Sequence, residues 1–233
     1  MPIVCSVAVL AAVNLLNNWL LRGPVAYVVV CVTATGVLLL LARFDGLTAA
    51  DLGLDAEGVR RGLRWAPVLA GAVVLVLVLL LAVPAGREVF RDARAVGLSG
   101  GHVLGQALVR VPFGTVLLEE TAFRGVLWAM IRRRCGTAWA TAVSSLLFGL
   151  WHLMPARGLN RSNTAVAEVF GGGSAGVVPA VTAAIVLMIA AGAVLCELRR
   201  RSGSLLAPAA LHWAVNGFSY AFAWAAARWW LDG

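Results

Sequence analysis

Residues 65–84 read WAPVLAGAVVLVLVLLLAVP, twenty positions without one charged side chain. A helix rising 1.5 Å per residue needs about 20 such residues to cross the hydrocarbon core of a bilayer. Working outward, apolar runs of this kind recur at 3–21, 25–43, 103–131, 136–154, 177–198 and 205–230. With 65–84 they make seven. The fourth and seventh are long enough to be tilted, kinked or split, so six to eight spans are expected. Pro112 and Gly114 in the fourth, and Gly217 in the seventh, are the natural kink points. The expected fold class is all-α, a polytopic transmembrane helical bundle.

Composition agrees. Of 233 residues, 61% are hydrophobic and only 13% charged, and the mean hydropathy is +0.88. A soluble domain is about half apolar and about a quarter charged, so an ordinary soluble enzyme and a disordered chain are both excluded. The formal net charge is +8, carried by arginine alone, with no lysine. Its short clusters between apolar runs fit membrane topology better than nucleic-acid binding, and no nucleic-acid partner is expected. Cys5, Cys31, Cys135 and Cys196 form no CxxC pair and lie in or beside apolar runs. They read as small buried hydrophobes, not as a disulfide or zinc framework. The first run lacks a basic lead-in and a small-residue cleavage site, and reads as an uncleaved first helix.

Arginine also sets orientation. The loops after spans two, four and six carry Arg43, Arg60, Arg61, Arg64, Arg132, Arg133, Arg134, Arg199, Arg200 and Arg201. The opposite set, Arg22, Arg87, Arg91, Arg94, Arg157, Arg161 and Arg228, is smaller and lacks the tight triplets. Loops two, four and six are therefore expected in the cytoplasm. Between spans two and three, Leu47 to Arg64 reads as an amphipathic interfacial segment with Thr48 as a helix cap and arginines at the headgroups. The loop 155–176, ending in Gly171-Gly172-Gly173-Ser174, reads as a flexible connector.

Polar residues inside apolar spans are costly and are functional suspects by default. The fourth span holds Glu119, Glu120 and Arg124 in LLEETAFRGVLW; the fifth holds His152 in LLFGLWHL; the seventh holds His212 and Asn216 in LAPAALHWAVNGF. At 1.5 Å per residue, Glu119 lies about 20 Å in from Arg132 and His152 about 24 Å in from Gly136; His212 and Asn216 lie about 12 and 18 Å in from Ser204. All four can meet within the hydrocarbon layer. Glu120 and Arg124 share a helix face and suit an ion pair, whereas Glu119 points elsewhere and is free to face a cavity. Phe148, one turn before His152, can shape the wall beside it.

Chemically, Glu119 with His152 could activate a water for attack on a peptide carbonyl, with His212 and Asn216 donating to the oxyanion. Alternatively, Glu119, His152 and His212 could hold Zn²⁺ and acidify its water; no other cofactor is expected. No HExxH helix is present. Asn14, Asn17 and Asn18 share one face and read as hydrogen-bond glue between helices. Arg110 is expected to snorkel or to pair with a carboxylate, His102 to be interfacial, and the nine tryptophans to form an aromatic belt.

Three of these stretches carry a resemblance. Glu119-Glu120-Thr-Ala-Phe-Arg124-Gly has the form EExxFRG, Phe148-Gly-Leu-Trp-His152 the form FxxxH, and His212-Trp-Ala-Val-Asn216 the form HxxxN. In this order, on separate membrane helices, they resemble the CPBP or Abi family, which contains type II CAAX prenyl endopeptidases and bacteriocin-immunity-like proteins. The resemblance covers roughly 100–220. It implies an intramembrane peptidase in which the first Glu and the FxxxH His activate water and the HxxxN pair binds the oxyanion. Those roles fall on Glu119, His152, His212 and Asn216, with Glu120, Arg124 and Phe148 in support. The expected division is 1–100, N-terminal membrane helices with the interfacial segment, and 101–230, the catalytic membrane core. The expected partners are the lipid bilayer and a membrane-embedded or lipidated peptide substrate, in a bacterial cell membrane. The competing expectation is a non-catalytic binding or immunity protein; a b-type haem on His152 and His212, and a transporter, fit less well.

Overall fold

A computed structural model describes residues 1–21, 23–87, 90 and 98–228. Arg22, Arg91, Arg94, Trp229 and Trp230, which enter the reading above, lie outside the described residues. Six long helices organise the rest. They are α1 (Pro2–Leu20), α2 (Pro24–Phe44), α3 (Ala56–Ala82), α4 (Gly100–Trp151), α5 (Val177–Ser202) and α6 (Leu206–Ala226). Among the described residues, five helices are long and apolar enough to cross a membrane. The chain is an integral membrane protein built as an all-α bundle.

Helix α4 folds back on itself at Gly136, whose φ of 81° breaks the helix. Only glycine adopts this conformation without a Cβ penalty. The two limbs then pack antiparallel: Trp128 Nε1 donates to Thr141 Oγ1 at 3.3 Å, and Ser144 Oγ donates to the Phe123 carbonyl. The expected fourth and fifth spans are these limbs. Helix α6 packs along α3, and α5 along the returning limb of α4. The latter crossing is close, since a Cβ on Gly192 would stand 3.0 Å from Ser145 Cα, the small-residue contact that membrane helices use. The core mixes Leu10, Val13, Cys31 and Leu38 of α1 and α2 with Leu118, Phe123, Val126 and Phe148 of α4.

The arginine-rich loops meet at one end of the bundle. Arg134 pairs with the Asp45 carboxylate and Arg133 donates to the Asp45 carbonyl at 2.6 Å. Arg199 donates to the Asp51 carbonyl at 3.0 Å, and Arg61 to the Ser202 carbonyl at 2.9 Å. Isolated surface ion pairs contribute little, but these arginines tie loops two, four and six into one network.

Several expectations change. The segment Leu47–Arg64 is not one separate segment, although Thr48 caps a short helix in it as expected. Thr48 and Asp51 form a capping box for the single turn Ala49–Leu52, and Asp55 then caps α3, which absorbs Arg60, Arg61 and Arg64. Glu57 pairs with Arg60 and Arg61 along that helix. The loop 155–176 carries helical turns at Leu159–Ser162 and Thr164–Phe170. Buried Asn160 donates to the Gly171 and Gly173 carbonyls at 3.0 and 3.1 Å, which ties the glycine run down. Around Pro112 the helix widens into π turns over Gln106–Val116, because proline lacks an N–H and its ring displaces the preceding carbonyl. Helix α6 continues unbroken through Gly217, which lets Trp213 Nε1 reach the Ala107 carbonyl at 2.9 Å.

Candidate active site

The rising limb of α4 carries the glutamates at full burial: Glu119 is 4% exposed, Glu120 1% and Arg124 0%. A charge this deep must be paired. Glu120 Oε1 accepts from Arg124 Nη1 at 3.0 Å, so the expected ion pair is present. Arg124 also lies 3.9 Å over the Phe148 ring, a cation–π contact that covers a guanidinium whose Nε and Nη2 have no hydrogen-bond partner among the described residues.

His212 of α6 joins the two glutamates. Its Nδ1 lies 2.7 Å from Glu120 Oε1, and its Nε2 lies 3.9 Å from Glu119 Oε2. The first is a hydrogen bond, and it places the proton on Nδ1. The second is too long for one but short enough for a water to lie against both atoms. Glu119 is oriented from its other oxygen, which accepts from Trp151 Nε1 at 2.9 Å. Among the described residues Glu119 Oε2 and Glu120 Oε2 are buried without a hydrogen-bond partner, and a buried carboxylate oxygen of this kind suits a water or a substrate group.

His152 closes the returning limb. Its Nδ1 donates to the Phe148 carbonyl at 2.8 Å, leaving Nε2 as the basic nitrogen. The Phe148 ring stands edge-on to both imidazoles, with centroids 4.7 Å from His152 and 6.2 Å from His212. No ion-pair contact within 4.0 Å joins Glu119 to His152 among the described residues; they share a wall through Trp151 and Phe148. Asn216, one turn beyond His212, is half-buried and makes no side-chain hydrogen bond among the described residues.

Other polar residues take structural places. Asn14 donates to the Trp151 carbonyl at 2.8 Å and Asn17 to Cys31 Sγ at 3.4 Å, joining α1 to its neighbours, whereas Asn18 bonds only within α1. His102 is exposed and bonded to Ser99. Arg110 has no carboxylate partner among the described residues; it donates to Gln106 at 3.2 Å and stacks 4.7 Å over the Tyr27 ring. The tryptophans do not form a single belt: Trp128, Trp151, Trp213 and Trp224 spend their N–H on internal acceptors, while Trp19 and Trp139 are exposed. Trp151 is the site residue that sequence reasoning passed over. An indole N–H buried in an apolar helix needs an acceptor, and its place beside His152 was the available signal.

Among the described residues no group of three or more His, Cys, Asp and Glu side chains is arranged to hold a metal ion. Glu119 and His212 come together, whereas His152 meets them only across the wall formed by Phe148 and Trp151.

Residues 103–218 match the family described as type II CAAX prenyl endopeptidase Rce1-like. This chain carries an Rce1-like domain. With that match the chain belongs to the CPBP family, whose three motifs it bears. The Rce1-like domain runs from the rising limb of α4 into α6 and so contains both glutamates, His152, His212 and Asn216. No curated protein and no solved structure matches the chain. The Rce1-like family supports a CAAX-type intramembrane protease.

Proposed function

We propose that the chain is an intramembrane endopeptidase that cuts near the C-terminus, or in the membrane segment, of a lipidated or membrane-embedded peptide, and that Glu119 is its general base. The observation that carries this reading is the orphaned Glu119 Oε2 facing His212 Nε2 across 3.9 Å. A water there loses a proton to Glu119 as its oxygen attacks the scissile carbonyl. The C–N bond then breaks, and the proton passes to the leaving nitrogen. His152, basic at Nε2, assists in moving it.

Charge balance supports the role of His212. With His212 doubly protonated, Glu119, Glu120, Arg124 and His212 sum to zero, which a low-dielectric site favours. Its Nε2–H then faces the cavity as a donor to the developing oxyanion, with Asn216 as the second donor. The Arg124–Glu120 pair positions the imidazole. No step is routed through a metal, since the donors are not gathered for one. A bacterial cell membrane is the proposed location, in keeping with the arginine-only composition.

The test uses detergent-purified protein and an S-farnesylated peptide ending in a CAAX box, in water enriched in heavy oxygen. Hydrolysis puts one heavy oxygen into the newly formed carboxylate, read by mass spectrometry. Intact peptide after prolonged incubation, with binding retained, favours the immunity-type reading instead.

A further inference from the structure

An apolar groove of about 630 Å³ runs between the start of α2 and the start of α4, at the end of the bundle away from the arginine-rich loops. Pro24, Val25 and Val29 form one wall, and Val109 and Gln106 the other. Arg110, half-buried, lines it. A guanidinium inside an apolar span is expensive and normally meets a carboxylate. Among the described residues it meets only the neutral Gln106 amide and the Tyr27 ring, and one donor on Gln106 leaves N–H groups of the guanidinium for a ligand in the groove.

The widened turns of α4 aim this cation toward the site. Arg110 and Thr115 are five residues apart, about 140° around an ordinary helix. In the π-widened stretch Gln106–Val116 both reach Tyr27: Arg110 stacks on its ring, and Thr115 Oγ1 lies 3.2 Å from its hydroxyl. Thr115 is in turn one ordinary turn before Glu119. The three side chains therefore follow one line along the side of α4 that faces α2. From Arg110 to Glu119 the helix advances about 10–13 Å. Three residues of extended peptide span about 10 Å.

We propose that Arg110, held by Tyr27 and Gln106, binds the free C-terminal carboxylate of the substrate, so that the bond presented to Glu119 lies about three residues from the chain end. A carboxylate takes two parallel N–H donors from one guanidinium, which fixes both charge and direction. The groove beyond Arg110 then gives the released C-terminal fragment a way out. This rests on the endopeptidase reading above, and it adds what measures the distance from the terminus.

The test compares an S-farnesylated CAAX peptide as free acid and as C-terminal amide. Binding is measured by anisotropy on the Glu119→Gln protein, so turnover is not needed, and cleavage is measured on the wild type. The acid is expected to bind about ten- to a hundredfold tighter than the amide, the scale of a charge-assisted hydrogen bond. Arg110→Gln should bring the acid down to the amide's level, and Arg110→Lys should restore part of the preference. Equal binding of acid and amide to the Glu119→Gln protein overturns the proposal without any Arg110 variant, and so without dependence on whether such a variant folds. Arg110→Gln weakening both peptides alike overturns it too, and marks Arg110 as a packing residue on Tyr27. If acid preference is present but no peptide is cleaved, the anchor stands and the endopeptidase reading fails.

Discussion

His212 sits between two glutamates that are adjacent in sequence, with Nδ1 2.7 Å from Glu120 Oε1 and Nε2 3.9 Å from Glu119 Oε2. Neighbouring residues on a helix point about 100° apart, so only a side chain arriving from another helix can touch both. Each glutamate keeps one oxygen unpaired among the described residues, but Glu120 Oε1 is held by both Arg124 and His212, whereas Glu119 Oε1 takes only the neutral Trp151 N–H. The EE pair thus divides into a positioning residue and a reactive one.

That division gives the first prediction. Arg124→Ala leaves Glu120 charged and buried, and should destabilise the fold by about 3–5 kcal/mol. The double change Glu120→Gln with Arg124→Met removes both charges and should recover most of that loss. It should not recover cleavage, because His212 loses the acceptor that orients its ring. Thermal melts in detergent beside a cleavage assay separate the two effects.

Trp151→Phe keeps an aromatic ring and removes only the N–H that holds Glu119 Oε1. The expected outcome is a kcat lowered about tenfold or more, the scale of a hydrogen bond to a charged group, with KM little changed. A rise in KM with kcat intact would place Trp151 in substrate binding instead.

Gly136→Ala tests the hairpin. At φ 81° and ψ 174°, backbone space kept essentially for glycine, an alanine is strained by about 1–3 kcal/mol, although nothing lies within 4 Å of its Cβ. A melting temperature lowered by a few degrees is expected, with cleavage per folded molecule unchanged.

The loop end has its own pH signature. Hydrogen bonding from Arg134, with the Arg134 and Arg133 charges beside it, holds the Asp45 carboxyl below the ordinary carboxylate range. A depressed folded value means the contribution is present above the unfolded value near about 4, and is lost as pH falls through the folded one. Melting temperature should therefore drop on acidification below about pH 4. Asp45→Asn should melt lower at neutral pH and show a shallower acid slope.

How much of this was legible in the sequence varies with the physics. Runs such as 65–84 could only be membrane helices, since no other environment suits twenty uncharged residues. The cluster was legible because Glu119, His152 and His212 are too costly in lipid to be incidental. The Glu120–Arg124 pair followed from ordinary helical phase. The place of Arg110 was not legible, because Pro112 widens the helix and turns Arg110 and Thr115 onto one residue, Tyr27. The N-terminal part of α3 was hidden for a different reason. Arg60, Arg61 and Arg64 made it look like a separate surface segment, but Glu57 and the Asp55 cap extend the membrane helix outward through them. Asn160 pinning the glycine run is a long-range contact with no local signature.

Metal content bears on the mechanism next. With Glu119 and His212 brought together and His152 set across the Phe148–Trp151 wall, purified protein is expected to carry far less than one zinc per chain, and cleavage to survive chelation. One tightly bound zinc per chain, lost in both Glu119→Gln and His152→Ala, would replace the side-chain route with a metal-bound water.

The most direct measurement is kcat for the farnesylated CAAX peptide with the wild type and Glu119→Gln, after both are shown to melt alike. Loss of the base should lower kcat by about a hundredfold or more, the range of general-base catalysis, with peptide binding retained. Equal rates in the two proteins would contradict Glu119 as the base.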